Sequence, residues 1–319
     1  MKKTLQFSLA ATLIAALSLF GSAQAQPSER GGPPEILVHL PNPYGGYGPF
    51  AGSPGGPVGG ARPGGGPKSN GINYHGGPVM VSGVNIYYIW YGNWSGNTAT
   101  TILTDFANSI GGSPYFNINT TYYNGSSTHI PNSVAYVGST TDNYSRGATA
   151  LTDADIQTIV SSAISSGALP PDPNGVYFVL TSADVTKSGF CTSYCGWHTH
   201  GTYTDTTGHA TDIKYSFVGN PAQCITACAA QSVGPNGNAG ADGMVSIIAH
   251  ELEEAVTDPD LNAWYDTRGY ENADKCAWTF GTTSTAANGA KYNMTLGARN
   301  YLIQRNWVNA SGGYCALSY

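Results

Sequence analysis

The run Ala249-His250-Glu251-Leu252-Glu253-Glu254-Ala255 sets a histidine and a carboxylate four positions apart, with a second carboxylate directly after the histidine. On an α-helix, positions i and i+4 lie one turn apart on one face, so His250 and Glu254 can grip one ion together. Glu251 then falls beside that ion. In H-E-x-x-H sequences the two histidines hold zinc and the intervening glutamate takes a proton from the metal-bound water. Here Glu254 stands where the second histidine would be. The pattern reads as a metallohydrolase helix with Glu251 as its general base.

A catalytic zinc takes three protein ligands and keeps one position for water. The downstream candidates for the third ligand are Asp258, Asp260 and Glu271. Glu271 is preferred, because Asp274 follows it by three residues and can orient His250 while Glu271 binds. The expected metal residues are therefore His250, Glu254, Glu271 and Asp274. Two carboxylates weaken the ion as a Lewis acid, so Zn²⁺ is expected with Mn²⁺ or another divalent ion as the alternative. His198 and His200, in Cys195-Gly196-Trp197-His198-Thr199-His200, alternate and would face one side of an extended segment. They are expected on a loop fixed by a local disulfide, where either could stabilise a developing oxyanion. No G-x-S-x-G elbow is present. Glycoside hydrolysis through Glu251 and Glu271 would leave His250 without a role.

These groups need a helix. Val245, Ile248, Ala249, Leu252, Ala255 and Val256 recur at helical spacing, with Asp242 as the expected N-cap and Asp258-Pro259 as the stop. His250 and Glu254 point away from that apolar stripe, so the metal face is not expected to be the core face. Upstream, Val79 to Trp90, Tyr115 to Tyr123, Ser133 to Gly138, Val176 to Thr181 and Asp212 to Val218 read as strands. Thr98 to Ile110 and Thr152 to Ser166 read as helices, the second opened by a Thr152-x-x-Asp155 capping pattern. Beyond Glu271 loops and short strands are expected. The order predicts an α/β or α+β domain of zincin-like metallopeptidase architecture, with a mixed β-sheet and an active-site helix.

Lys2 and Lys3, an apolar run from Leu9 to Phe20 and Ala23-Gln24-Ala25 make residues 1–25 a secretory signal peptide. Residues 26–70 are dominated by Gly and Pro and read as a disordered arm, a pro-segment or a tether, leaving 71–319 as one domain. A secreted or periplasmic location follows, with no membrane insertion, since no later stretch approaches the roughly 20 apolar residues of a membrane helix. Removing Lys2 and Lys3 takes the formal charge from −6 to −8, and no basic cluster remains for nucleic acid. Six cysteines fit an oxidising compartment. Their spacing predicts Cys191 with Cys195, Cys224 with Cys228 and Cys276 with Cys315.

Gly189-Phe190-Cys191, Cys195-Gly196, the Phe217-Val218-Gly219-Asn220-Pro221 run with Cys224 and Cys228, the lead-in Gly240 to Val245, and Asn262-Ala263-Trp264-Tyr265 together resemble the phosphate-induced/EXORDIUM family. The likeness covers about His75 to Tyr319 and identifies the chain as a bacterial-type member. Family members from plants are secreted into the cell-wall space and linked to growth responses, and they do not all keep the H-E pair present here. The resemblance implies a non-catalytic wall-associated binding or signalling protein as the rival to a metal-dependent peptidase. The expected partner is a peptide or protein substrate, or a cell-wall polymer.

Overall fold

The computed structural model describes residues 71–319 together with the strand Leu37–His39. The expected signal peptide and the rest of the Gly/Pro-rich arm lie outside the described residues. In chain order the elements are β1 (Leu37–His39), β2 (Asn73–Tyr74), β3 (Val84–Tyr91), α1 (Ala99–Ser109), β4 (Val134–Asp142), α2 (Asp153–Ser165), β5 (Gly175–Thr181), β6 (Gly196–Thr204), β7 (Ala210–Val218), α3 (Ile225–Cys228), α4 (Ala239–Thr257) and β8 (Trp264–Tyr265). Three short hairpins follow: β9 (Ser284–Thr285) with β10 (Lys291–Tyr292), β11 (Met294–Leu296) with β12 (Arg299–Tyr301), and β13 (Asn306–Val308) with β14 (Tyr314–Ala316).

One six-stranded mixed sheet, ordered β1-β6-β7-β5-β3-β4, organises the molecule. The β4–β3–β5–β7 half is parallel, whereas β6 runs antiparallel to β7 and β1 antiparallel to β6. Every residue of β5 is buried, as expected of a strand covered on both faces, while β4 alternates between half-buried and exposed at one edge. Helices α1 and α4 pack together on one face and α2 lies on the other. Their apolar spacing explains the choice: Ile102, Leu103 and Phe106 form one stripe on α1, and Ile156, Ile159, Val160 and Ala163 another on α2. Thr152 and Asp155 form the expected capping box.

Two elements before α2 differ from the sequence reading. The segment expected to be a strand from Tyr115 to Tyr123 is a 3₁₀ helix over Phe116–Thr121, because hydroxyls supply local bonds: Ser113 Oγ accepts from Phe116 N, and Thr120 and Thr121 donate to carbonyls three residues back. The first long strand starts at Val84 rather than Val79, after a turn in which Gly83 adopts φ 87°.

The cap of helix α4 lies four residues before the expected one. Asn238, not Asp242, caps it by accepting from Ala241 N, and the Asp242 carboxylate turns back to Asn236. It ends before Pro259, as the sequence predicts. The face bearing His250 and Glu254 is not solvated: His250, Glu251, Glu253 and Glu254 are all fully buried. The sheet covers one side, and the C-terminal segment roofs the other, with Asn306 donating to Glu253 Oε2 at 2.5 Å and Asn272 to the Glu253 carbonyl.

The disulfides are Cys191–Cys224, Cys195–Cys228 and Cys276–Cys315. The third was expected, and the other two replace the local pairs. Cys224 and Cys228 flank one helical turn and so present both sulfurs to the same side, where Cys191 and Cys195 lie opposite them. The two bridges clamp the entry of β6 to α3 instead of closing two small loops.

Candidate functional site

His198 lies in strand β6, not on a loop, and the two-residue period of that strand decides its surroundings. Gly196 faces α4 so closely that a Cβ there would meet Ile247 at 2.6 Å and a Glu251 oxygen at 3.0 Å. That approach brings His198, on the same side, against the carboxylates of the helix. Trp197 points to the other face, packing on Phe217 and lying under the Lys187 ammonium.

His198 Nδ1 is 3.4 Å from Glu251 Oε2 and 3.6 Å from Glu254 Oε2. Its Nε2 faces the Asp258 carbonyl at 3.4 Å and Glu271 Oε2 at 3.8 Å. A neutral imidazole carries one N–H, so it can donate on one side only. Burial, only partly opposed by the Asp258 carbonyl, pushes the ring down to about 3 and so keeps it neutral. With Nε2–H given to Asp258, the Nδ1 lone pair looks at two carboxylate oxygens, an arrangement that a cation between them makes favourable. The three atoms lie within 4.8 Å of one another. Around a tetrahedral ion with bonds of about 2.1 Å, neighbouring ligand atoms are about 3.4 Å apart, which the two histidine–carboxylate separations approach. The donor set fits a divalent ion.

His250 is arranged differently. Its Nε2 is 2.9 Å from Glu254 Oε1 and 3.5 Å from Asp274 Oδ1, while Asp274 N–H also donates to Glu254 Oε1 at 3.1 Å. The Trp278 backbone N–H occupies Gln304 Oε1 at 3.1 Å, which turns the Gln304 amide nitrogen toward His250 Nδ1. In the neutral ring Nδ1 therefore accepts and Nε2 carries the proton, while in the charged ring both nitrogens are donors. Burial works against a charge on this ring, but Glu254, Asp274 and Glu251 together outweigh it and hold its pKa well above the usual range. His250 is built to hold a proton against Glu254. His198 is built to offer a lone pair.

The four metal residues expected from sequence are thus brought into one buried neighbourhood but divided within it. Glu254 is shared, one oxygen toward each histidine. Asp274 sits with His250, as expected of a supporting residue, whereas Glu271 lies by His198 Nε2 rather than by His250. Glu251, expected as a base, and His198, expected as an oxyanion donor, face each other at 3.4 Å. His200 does not join them: it pairs with Asp212 Oδ1 at 3.0 Å and approaches Asp260 at 3.5 Å, where Lys214 balances Asp212. The sequence reading missed Glu253, Gln304 and Asn306. Only the middle glutamate of the Glu251-Leu252-Glu253-Glu254 run hinted at them.

Residues 72–316 match the family described as "Phosphate-induced protein 1 conserved region". The chain belongs to that family. Among relatives, "Protein EXORDIUM-like 5" of Arabidopsis thaliana is 34% identical over 276 residues, covering 74% of this chain and 75% of the relative. "Protein EXORDIUM-like 3" of the same plant is 32% identical over 281 residues, covering 76% and 82%. Neither name states a catalytic activity, and no solved structure matches this EXORDIUM-type chain significantly. Among the described residues no helix is long and apolar enough to cross a membrane.

Crowded acids give the metal-free site a pH signature. Burial first, and then Asp274, raises Glu254 to about 7, and burial raises Glu253 to about 8. Unfolded, both would ionise near the ordinary value of about 4.3, so above it the folded chain binds more protons and stability falls as pH rises. His198 acts in the opposite sense, but only below its ordinary value of about 6.5. Between about pH 6.5 and 8 the sign is uniform, and each retained proton costs about 1.4 kcal/mol per pH unit. Urea unfolding of chelator-treated protein is expected to show this decline, and a flat profile across the window would contradict it.

Proposed function

We propose that this chain is an extracellular, cation-dependent binding protein, in which one divalent ion, Zn²⁺ or Mn²⁺, is held by His198, Glu251 and Glu254. The observation that carries the reading is the buried His198 ring facing acceptors on both of its nitrogens, with Glu251 and Glu254 at 3.4 and 3.6 Å from Nδ1. Such an ion offsets the charge of the buried glutamates and ties β6 to α4. Three disulfides support an oxidising, extracellular compartment.

Hydrolysis of peptides is the second reading, favoured by the H-E-x-x-E spacing on α4. It meets a competing use of Glu251, which the proposed cation site takes as a ligand beside His198. Relatives whose names state no activity also weigh toward binding.

Protein purified without chelator is expected to contain about one equivalent of divalent metal per chain. It is expected not to cleave an unstructured protein or a wall polysaccharide. No bound metal after supply of Zn²⁺ and Mn²⁺ would sink the proposal. Cleavage that Glu251→Gln abolishes with metal retained would promote the hydrolase reading instead.

A further inference from the structure

Strand β6 is paired along its whole length with β7 on its inner side, from Gly196↔Val218 to Thr204↔Ala210. On its outer side, among the described residues, only the first three are covered, by β1, with Leu37 opposite His198, Val38 opposite Trp197 and His39 opposite Gly196. Strand β1 also approaches α4. The covering strand comes from the Gly/Pro-rich arm, and residues 40–72 separate it from β2. From Thr199 to Thr204 the outer edge of β6 has no strand beside it among the described residues.

We propose that the outer edge of β6 beside His198 is a binding site for an extended polypeptide segment, which this chain fills with its own Leu37–His39. The arm is built as a weak occupant. Ile36-Leu37-Val38-His39-Leu40 is a β-prone run in otherwise Gly/Pro-rich sequence, and prolines bracket it. Continuing the antiparallel register would set Ile36 against Thr199, Glu35 against His200 and Pro34 against Gly201. Proline has no N–H to donate, so a ladder continued past Leu37–His39 would lack donors at Pro33, Pro34 and Pro41. A partner strand without those prolines can continue along Thr199–Thr204 and pair over more residues than the arm does. Recognition by strand addition takes its affinity from main-chain bonds and its selectivity from alternate side chains, so the partner class is an extended, β-prone peptide. The covalent connection keeps the resident strand at an effective concentration of about millimolar, enough to mask the edge and low enough for a longer strand to displace it. This names the partner of the proposed binding protein and rests on that reading only in taking the His198 centre as its functional site.

The test uses the full chain and the double variant L37P/V38P, which removes donors in both phases of the ladder without touching residues 72–316. The probe is a labelled synthetic peptide with the sequence of residues 33–40 in which both prolines are replaced by threonine. The variant is expected to bind the peptide at least about tenfold more tightly than the wild type. Hydrogen exchange at the Gly196–His198 amides is expected to speed up in the variant and slow again when peptide is added. Equal peptide affinity in the two proteins, or exchange at those amides that neither the substitutions nor the peptide changes, would overturn the proposal. Metal content is measured on the same samples. Bound metal with no effect of the arm refutes the edge site alone, and absent metal with intact arm competition refutes the cation reading alone.

Discussion

His198→Ala is expected to weaken divalent-cation binding by well over 100-fold, and His250→Ala by no more than about 10- to 100-fold. The ordering follows from which nitrogen has a lone pair to give. Removing His198 deletes the nitrogen at 3.4 and 3.6 Å from the two glutamates. Removing His250 deletes a group that donates its Nε2–H to Glu254 and so steadies that carboxylate, and loss of a supporting residue costs about 10- to 100-fold in affinity. Sequence spacing alone ranks the two histidines the other way, because His250 shares a helix face with Glu254. Isothermal titration of the metal-free proteins with Zn²⁺ and Mn²⁺ separates the cases. If His250→Ala abolishes binding and His198→Ala barely changes it, the ligand set read from the sequence is right and the one drawn from the geometry is wrong.

Glu254→Ala is expected to cost about 3–5 kcal/mol of stability, the range found when one partner of a buried ion pair is removed. Three groups lose their counterpart at once: His250 Nε2 at 2.9 Å, the Asp274 backbone N–H at 3.1 Å, and the ion proposed beside His198. Glu254→Gln preserves shape and keeps an oxygen for Asp274, so its cost should fall well below that of the alanine variant. Denaturant unfolding in the presence of Zn²⁺ measures both. Equal, small losses for the two substitutions would mean that the Glu254 charge does little in the fold.

Much of the helix that carries these groups is legible in the sequence, because an i, i+4 pair and an apolar stripe are local signals. The capping box at Thr152 and the stop before Pro259 are local too, and both are found. What the sequence withholds is convergence. His198 reaches Glu251 only because β6 passes close over α4 at Gly196, a contact between residues far apart in the chain. Glu253 reads as an ordinary solvated charge until Asn306 and Asn272 close over it. The cysteines mislead in a related way: equal C-x₃-C spacings invite local pairs, while the helical turn at Cys224 to Cys228 directs both sulfurs across to the other segment. Tyr115 to Tyr123 has strand-like aromatics, but the hydroxyls of Ser113, Thr120 and Thr121 bond to nearby backbone and wind the segment up.

The Cys195–Cys228 bridge attaches one residue before β6 begins. Side chains alternate along a strand, so a slide of a single position exchanges its two faces completely. Slipped in that way, β6 would carry the Trp197 indole into the glutamates of α4 and leave His198 among the rings of Phe217 and Tyr215 on the far side of the sheet. Half of β6 is polar and short of apolar anchors, which makes hydrophobic pattern a weak guard against that error. The sulfur bridge supplies the guard: it sets the phase of the strand, and with it which ring the carboxylates meet.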